Sequence, residues 1–305
     1  MAELCLGTVQ FGMKYGVNNQ IGRQPTWQES FDMLTYAFEN GINIIDTAAA
    51  YGEAETILGA YNRECGKLKD VKVISKLRPN VIDKTEKDIF GVVKGELEIS
   101  LKRMELNKID GYLLHTPEYI YNSDIVEAMI RIKHEGMIDN IGVSIYDIKE
   151  GYAAIETGVI DYIQLPYSIL DQRGIKSGFI EDAKAHGIKI YTRSAFLQGL
   201  FMMDKDEIPD HLKKSVPYLD TMNAIIEKYN VDKVAAIMSF VKYETNIDYL
   251  VFGVEKKEQL IQDMGKYEEN IPQECIMELK EYIDNVDNSI IFPSLWSNGR
   301  KAERV

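Results

Sequence analysis

The chain has 305 residues, of which 45% are hydrophobic, and its 48 acidic and 35 basic residues give a net charge of -13. A chain of this length can bury one large core, and its negative charge disfavours nonspecific attraction to nucleic acid or to an anionic membrane surface. No apolar stretch approaches the roughly 18 residues that predict a membrane span, and the N-terminus lacks a basic segment followed by an apolar one. We therefore expect a cytoplasmic protein with no nucleic-acid or membrane partner.

The cysteines also indicate a cytoplasmic location. Cys5, Cys65 and Cys275 are odd in number and widely spaced, and they form no CxxC pair and no cluster of metal-ligand type. This pattern is typical of free thiols in a reducing cytoplasm, so we predict neither a disulfide framework nor a metal site.

Strand-like apolar runs alternate with amphipathic segments along the whole chain. The eight runs cover residues 3–7, 42–46, 71–76, 109–115, 138–144, 161–165, 188–192 and 247–253. The helical segments between them include residues 27–40, 85–105, 123–136 and 176–187, and Gly41, Gly136 and Gly187 are placed to end helices. Alternation of this kind indicates repeated βα units around a parallel sheet, and eight units predict an α/β fold of the (β/α)8 TIM barrel type.

Two additions to the barrel are predicted. Residues 217–245 have the pattern of an extra helical pair before the eighth strand, and residues 272–286 that of a terminal helix. We predict one barrel domain over residues 1–305, with residues 287–305 as a C-terminal tail.

Four polar residues lie at or just after strand ends. Asp46 in IIDTAAAYG, Lys76 in VISKL and His115 in YLLH close the second, third and fourth runs, and Tyr51 lies in the loop after the second run. Because active sites of such barrels lie at the C-terminal ends of the strands, we expect these side chains to converge at one mouth of the barrel.

The four residue types together suggest carbonyl reduction. A phenol can protonate an alkoxide if its pKa falls toward neutrality, which a nearby ammonium promotes. In this hypothesis Tyr51 is the acid, Lys76 lowers its pKa, Asp46 anchors Lys76, and His115 orients the carbonyl oxygen by a hydrogen bond. The site would then reduce a ketone or an aldehyde.

Each residue also has a purely structural interpretation. Asp46 could cap a helix, Tyr51 could belong to a turn, Lys76 could be a solvated strand-end lysine, and His115 could be a core histidine. Their joint occurrence at successive strand ends favours the catalytic hypothesis. The chain has no GxGxxG after a strand and no GxxxxGK[ST] motif, so neither a Rossmann dinucleotide site nor a P-loop is predicted.

These four residues, together with LGTVQFG at residues 6–12 and IGVS at residues 141–144, form a pattern that resembles the aldo/keto reductase family. The resemblance covers nearly the whole chain. By that resemblance Asp46, Tyr51, Lys76 and His115 match the family's catalytic tetrad. The resemblance implies hydride transfer from NADPH to the carbonyl group of a small molecule.

The same resemblance implies a set of cofactor-binding residues. Thr8 would touch the nicotinamide ribose, Ser144 and Gln164 would bind the carboxamide, and Tyr191 would stack on the nicotinamide ring. The loop around the pyrophosphate would begin with Thr192, Arg193 and Ser194, and Arg193 would supply positive charge. As isolated residues these could equally be turn residues, local caps or packing residues at the barrel rim.

The segment VFGVEKKEQLIQDM, residues 251–264, resembles the family stretch that holds the adenosine end of the cofactor. Gly253 would open a turn into a helix whose N-terminal amides and Lys256 could receive a 2'-phosphate, with Gln259 and Asp263 further along. Two departures from the family are Glu255, a carboxylate near the expected phosphate, and Asp263, where asparagine is common. We therefore predict NADPH, with NADH as the second choice.

Substrate contacts are predicted from Tyr51, His115 and Phe11 in the first strand-end loop. The segment IIFPSLW, residues 290–296, could fold over the barrel mouth or pack on the barrel exterior. LGTVQFGMKYGVNN and QLPYSILDQR resemble aldo/keto reductases associated with bacterial surface-sugar biosynthesis, which suggests a keto-sugar substrate.

Two other functions remain compatible with the sequence. Lys76 could form a Schiff base, as in a barrel lyase. Alternatively, the chain could be a noncatalytic nicotinamide-binding regulatory protein, as the family's resemblance to potassium-channel β-subunits permits. No periodic apolar patch in the sequence identifies an oligomer interface.

Overall fold

The structure is a computed structural model that describes residues 1–83, 85–282 and 286–296. Residues 283–285 of the predicted terminal helix and residues 297–305 of the predicted tail lie outside the described residues.

Eight parallel strands form a closed barrel in which each strand pairs with its neighbours in sequence and the last pairs with the first. They are β1 (Glu3–Gly7), β2 (Ile44–Asp46), β3 (Lys72–Leu77), β4 (Ile109–Leu114), β5 (Ile138–Ser144), β6 (Tyr162–Pro166), β7 (Lys189–Arg193) and β8 (Tyr249–Gly253). All eight predicted strands are confirmed, and the predicted (β/α)8 TIM barrel is the fold of this chain.

Helices cover the outside of the barrel and lie at its ends. They are α1 (Val9–Gly12), α2 (Trp27–Glu39), α3 (Ala54–Cys65), α4 (Ile89–Met104), α5 (Ser123–His134), α6 (Ile148–Glu156), α7 (Arg173–Lys176), α8 (Phe179–Ala185), α9 (Val216–Lys228), α10 (Lys233–Lys242), α11 (Lys257–Glu268), α12 (Gln273–Tyr282) and α13 (Asn288–Ile291). The predicted helical pair before β8 is confirmed as α9 and α10, and the terminal helix as α12 over its described length.

Local signals account for most helix boundaries. Thr26 and Glu29 form a reciprocal capping box at the start of α2. The predicted helix-ending glycines Gly41, Gly136 and Gly187 have φ angles of 95°, 75° and 78°, in the left-handed region that favours glycine. The segment predicted as one helix over residues 176–187 is instead divided between the end of α7 and α8, and Gly178 between them has a φ angle of 78°.

The barrel interior is filled in layers. Its apolar layer consists of Cys5, Ile44, Ile74, Leu113, Tyr162, Tyr191, Tyr249 and Val251, separate from the larger core between strands and helices. Side chains alternate along a strand, so the next inward-facing position lies two residues further toward the C-terminal mouth. Those positions are Gly7, Asp46, Lys76, His115, Gln164, Arg193 and Gly253. Five of these seven residues are polar, so a polar layer lies above the apolar layer at the C-terminal mouth.

No helix within the described ranges is both long enough and apolar enough to cross a bilayer.

Candidate active site

A cavity of about 1430 Å³ opens at the C-terminal mouth of the barrel. It is larger than the roughly 300–1,000 Å³ of a pocket for one drug-sized ligand, so it has room for a dinucleotide together with a substrate. The predicted site residues that line it are Thr8, Asp46, Tyr51, His115, Ser144, Gln164, Arg193, Ser194, Gly253, Lys256, Gln259 and Asp263.

Lys76 and Asp46 form a buried ion pair beneath the cavity. The Nζ of Lys76 lies 2.7 and 2.8 Å from the two carboxylate oxygens of Asp46 and donates a further hydrogen bond of 2.9 Å to the carbonyl of Thr47. The Lys76 side chain is 0% exposed. Burial lowers the pKa of Lys76, while the Asp46 carboxylate opposes that change. Asp46 is therefore an anchor for Lys76, as predicted, and it does not cap α3, whose preceding residue is Glu53.

Tyr51 projects its hydroxyl toward this pair. The Lys76 Nζ lies 3.4 Å from the phenol oxygen, and the Tyr51 ring meets the His115 ring edge to face with centroids 5.9 Å apart. Burial and then the Asp46 carboxylate raise the pKa of Tyr51 well above 10.0, and Arg193 opposes them.

The predicted lowering of the Tyr51 pKa by Lys76 is therefore not what the structure shows. The Asp46 carboxylate, which binds the ammonium through both of its oxygens, also acts on the phenol and raises its pKa. The cation that lowers the phenol's pKa is Arg193. Tyr51 is therefore buried and protonated, as a proton donor must be before it reacts.

His115 lies next to the phenol, in ring contact with Tyr51. Burial, followed by the positive charges of Lys76 and Arg193, lowers the pKa of His115 from 6.5 to about 3. Its Nδ1 has no hydrogen-bond partner among the described residues. The imidazole is therefore neutral at ordinary pH and can donate one hydrogen bond to a carbonyl oxygen.

Ser144, the last residue of β5, lies beside Gln164 of β6, and the two residues pair in register. The Gln164 amide donates to Asp46 over 2.7 Å, and the Ser144 hydroxyl lies 3.5 Å from the Gln164 side-chain oxygen. The two side chains present a fixed polar edge to the cavity, as the predicted carboxamide-binding pair would require.

Tyr191 and Thr192 are not in the predicted positions. Tyr191 lies in the apolar layer, stacked on Tyr249 with ring centroids 4.3 Å apart, and the Thr192 hydroxyl donates to the Tyr249 carbonyl. Neither lines the cavity. Because side chains alternate along β7, the residue facing the cavity is Arg193, two positions after Tyr191.

The prediction that Phe11 contacts the substrate is also wrong. It is 0% exposed and packs in the core between barrel and helices, so it does not line the cavity. Its neighbour Gly12 lies against the Tyr51 loop. A Cβ on Gly12 would come within 1.6 Å of the Tyr51 carbonyl oxygen, and one on Gly52 within 2.3 Å of the Gly12 oxygen. This close backbone approach fixes where Tyr51 stands.

The loops after β1 and β7, which both line the cavity, contact each other in a way that the sequence did not predict. Val17 donates its backbone N–H to the Gln198 carbonyl over 3.0 Å, and the Gln198 amide donates to the Tyr15 hydroxyl over 2.8 Å. Ser194 and Gln198 have φ angles of 66° and 54°, which is rare for residues other than glycine. The GVNN turn sequence was the available signal, but it gives no indication of what the loop contacts.

The described part of the C-terminal tail forms one wall of the cavity. Phe292, Pro293, Ser294 and Leu295 line it, and the Phe292 ring lies 5.9 Å from the Tyr146 ring and 4.4 Å from the Arg173 guanidinium carbon. Of the two placements that the sequence allowed, the tail adopts the one over the barrel mouth.

The far end of the cavity is formed by the β8 to α11 turn. One carboxylate oxygen of Glu255 accepts hydrogen bonds from the backbone N–H groups of Gln20 and Ile21, at 3.0 and 3.3 Å. The Gln259 side chain in turn accepts from the Glu255 N–H. Glu255 therefore ties the loop after β1 to this turn.

Asp263 lies deeper at the same end and is 3% exposed. Burial, with a smaller contribution from Asp232, raises the pKa of the Asp263 carboxyl from 3.8 to about 7.

The residues present fit a nicotinamide dinucleotide. The cavity extends from Tyr51 and His115 to the N-terminal turn of α11, whose backbone N–H groups favour anions. The imidazole of His115 and the polar edge formed by Ser144 and Gln164 offer hydrogen-bonding groups at the catalytic end.

Comparisons with known proteins identify the family of this chain. The model of the aldo/keto reductase family matches residues 3–284. An NADH-specific methylglyoxal reductase from Escherichia coli is 23% identical over 89% of this chain and 95% of its own length, and the aldo-keto reductase YhdN from Bacillus subtilis is 25% identical over 76% of each. A solved structure assigned to the aldo-keto reductases, from Pseudomonas aeruginosa, superimposes with a TM-score of 0.65 at 26% identity, covering 87% of this chain and 88% of that one. The chain therefore belongs to the aldo/keto reductase family and is an oxidoreductase.

Proposed function

We propose that this protein reduces the carbonyl group of a small aldehyde or ketone with a nicotinamide cofactor, and that Tyr51 donates the proton. The observation that carries this proposal is the convergence of a protonated phenol, a neutral imidazole and a buried ion pair at the floor of one cavity. The reductase names of the relatives support the same chemistry.

The cofactor supplies a hydride when it is bound. His115 donates a hydrogen bond to the substrate oxygen, which fixes the carbonyl next to the phenol and stabilises the charge that develops on that oxygen. Tyr51 then passes its proton to the same oxygen. Arg193, whose positive charge acts to lower the pKa of Tyr51, stabilises the phenolate formed when that proton leaves.

NADPH remains our preferred cofactor. Lys256 lines the far end of the cavity immediately before α11, where a 2'-phosphate would meet both its ammonium group and the N-terminal amides of the helix. Glu255 opposes that preference through its charge, although its carboxylate is already held by two backbone N–H groups. NADH is therefore the second candidate, consistent with the NADH-specific relative.

The substrate that we favour is a small polyhydroxylated carbonyl compound such as a keto-sugar. Polar side chains on the substrate side of the cavity, Asn80, Thr116, Glu118 and Glu150, can bind hydroxyl groups, and the rings of Tyr146 and Phe292 can cover the apolar face of a sugar.

A Schiff-base lyase is disfavoured by the geometry. Lys76 is fully buried, does not line the cavity, and uses its ammonium in three short hydrogen bonds. A nucleophilic lysine must instead lose its proton and reach the substrate.

The test is a panel of aldehydes, ketones and keto-sugars with NADPH and NADH, followed by loss of reduced cofactor. Tyr51→Phe should lower turnover by about 100 to 10,000-fold, because it removes the proton donor and little volume, and cofactor affinity should stay nearly intact. Tyr152→Phe, on the outer surface of the barrel where its hydroxyl bonds Asp182, is the matched control and should retain activity. If Tyr51→Phe keeps activity within a few-fold of the parent, Tyr51 is not the acid.

A further inference from the structure

Arg193 places a positive charge on the cavity wall without an ion-pair partner. Its guanidinium donates to the Ile145 carbonyl over 3.2 Å and to the Ser194 hydroxyl over 3.4 Å, and it lies 4.2 Å from the centre of the Tyr146 ring. All three partners are neutral, and no salt bridge joins Arg193 to a carboxylate in the part of the chain that the structure describes. The charge is therefore available to whatever occupies the cavity.

This charge stands at the catalytic end of the cavity. Ile145, whose carbonyl holds the guanidinium, directly follows Ser144 of the polar edge, and its own N–H donates to the Gln164 carbonyl. The electrostatic effect of Arg193 reaches both catalytic side chains, because it lowers the pKa of Tyr51 and of His115. The guanidinium thus lies beside the residue that follows Ser144 and acts on the phenol, at the end of the cavity where the proposed function places the reacting ring.

A fixed cation at that place distinguishes the two forms of a nicotinamide ring. The oxidised ring is a pyridinium cation, and the reduced ring, which has gained a hydride, is neutral. The rest of the dinucleotide keeps its charge in both forms. A nearby guanidinium therefore repels the oxidised form and leaves the reduced form almost unaffected, and the low dielectric of a closed site strengthens the effect.

We infer that Arg193 sets the redox balance of the bound cofactor, by weakening the binding of the oxidised form relative to the reduced form. The inference rests on the proposed function, since it requires a nicotinamide ring between Ser144 and Tyr51. In the oxidative direction the alcohol carbon gives a hydride to the ring, the hydroxyl proton goes to the Tyr51 phenolate, and the positive charge facing Arg193 disappears. Arg193 thus shifts the bound equilibrium toward carbonyl compound and reduced cofactor.

The competing role for Arg193 is the one predicted from the sequence, a contact with the cofactor pyrophosphate. The pyrophosphate has the same charge in both redox forms. Loss of such a contact would weaken both forms equally, so the ratio of the two dissociation constants separates the roles.

The experiment is calorimetric titration of the full chain with the oxidised and the reduced cofactor, for the parent and for Arg193→Gln. We expect the ratio of the oxidised to the reduced dissociation constant to fall about tenfold, mainly because the variant binds the oxidised form more tightly. For a two-electron couple a tenfold change in this ratio equals about 30 mV in the potential of the bound cofactor.

Three further variants complete the design. Arg193→Lys retains the charge and should keep most of the parent's ratio, and Arg193→Met tests the neutral state with a different side chain if Arg193→Gln folds poorly. Lys256→Gln removes a cation at the other end of the cavity, so it should leave the ratio unchanged whatever it does to affinity.

The outcomes separate this inference from the proposed function. Equal weakening of both redox forms by Arg193→Gln would assign Arg193 to the pyrophosphate and overturn the inference, and so would an unchanged ratio in a folded neutral variant. If the parent protein binds neither redox form, the proposed function itself fails.

Discussion

Among the features of the site, disruption of the buried ion pair between Asp46 and Lys76 should lower the free energy of unfolding most. Both side chains are almost completely buried, at 4% and 0% exposed, so removing one leaves the other charged and unpaired in the protein interior. We expect Lys76→Met to destabilise the fold by about 3–5 kcal/mol and to abolish most of the activity. Urea denaturation measures the first effect and cofactor oxidation the second.

Two comparisons isolate the buried pair. Lys94→Met breaks an exposed ion pair with Glu135 and should cost only about 0–1 kcal/mol. The double variant of Lys76→Met with Asp46→Asn should recover part of the lost stability, since neither residue is then charged. A Lys76→Met protein as stable as the parent would contradict this account.

At the scale of elements, the contact between α1 and the Tyr51 loop positions the proposed proton donor. We expect Gly12→Ala to push that loop away, because the added methyl group would lie 1.6 Å from a backbone oxygen. The variant should lose most of its turnover and about 1–3 kcal/mol of stability. Steady-state kinetics and thermal unfolding measure the two losses.

Gly95→Ala is the matched control for that change. Gly95 lies inside α4, and a Cβ there meets nothing within 4 Å. Alanine should therefore stabilise the helix by about 0.5–1 kcal/mol and leave activity intact. An active Gly12→Ala enzyme would show that the loop tolerates displacement.

The second element to test is the tie between the β1 loop and the start of α11. Glu255→Gln removes the charge but keeps an oxygen that can accept from Gln20 and Ile21. We expect it to bind NADPH more tightly, by about 1 kcal/mol at low salt, with NADH nearly unchanged. Glu255→Ser also removes the tie and should speed the release of both cofactors.

Stopped-flow fluorescence gives the release rates of both cofactors at several salt concentrations. Lys256→Ala should act in the opposite sense, with a loss of about 1–3 kcal/mol for NADPH alone. An equal response of NADPH and NADH to Glu255→Gln would show that its charge does not face the 2'-phosphate.

For the whole molecule, the free energy of unfolding should depend on pH through Asp263. Its pKa is about 7 in the folded protein against 3.8 for the free group, so the folded state holds a proton that the unfolded chain releases. This contribution to stability is fully present below about pH 4 and is lost as the pH rises through 7. Asp263→Asn should therefore gain stability relative to the parent between pH 5 and pH 8, on the order of 2 kcal/mol.

Chemical denaturation of both proteins at pH 5, 6.5 and 8 measures this difference. His115 changes stability in the opposite sense, because its lowered pKa means that stability is lost as the pH falls below 6.5. Both proteins contain His115, so its effect cancels in the comparison. A constant difference across the three pH values would reject the shifted pKa of Asp263.

The barrel and most of its site could be predicted from the sequence, because both depend on local pattern. Strand-length apolar runs predict the strands, and a residue that closes such a run is carried to the mouth with it, as for Asp46 and His115. This argument fails for Tyr191. Both Tyr191 and Arg193 face inward, and only the depth of the apolar layer determines which of them reaches the cavity.

Contacts between distant loops could not be predicted at all. Nothing in the residues around Glu255 indicates that its carboxylate binds the backbone of Gln20, because that contact depends on the course of two loops across the barrel. Phe11 is the opposite case, because it is close in sequence to the site but its side chain is buried away from the cavity.

The family model ends at residue 284, whereas the wall contributed by Phe292 and Leu295 lies beyond it. The residues that we propose for the chemistry lie within the matched range, and this wall of the cavity lies outside it. We therefore expect substitutions at Phe292 and Leu295 to change which substrates bind while leaving the barrel and the proposed proton donor in place. This wall is a position at which substrate specificity can evolve separately from the proposed catalytic residues.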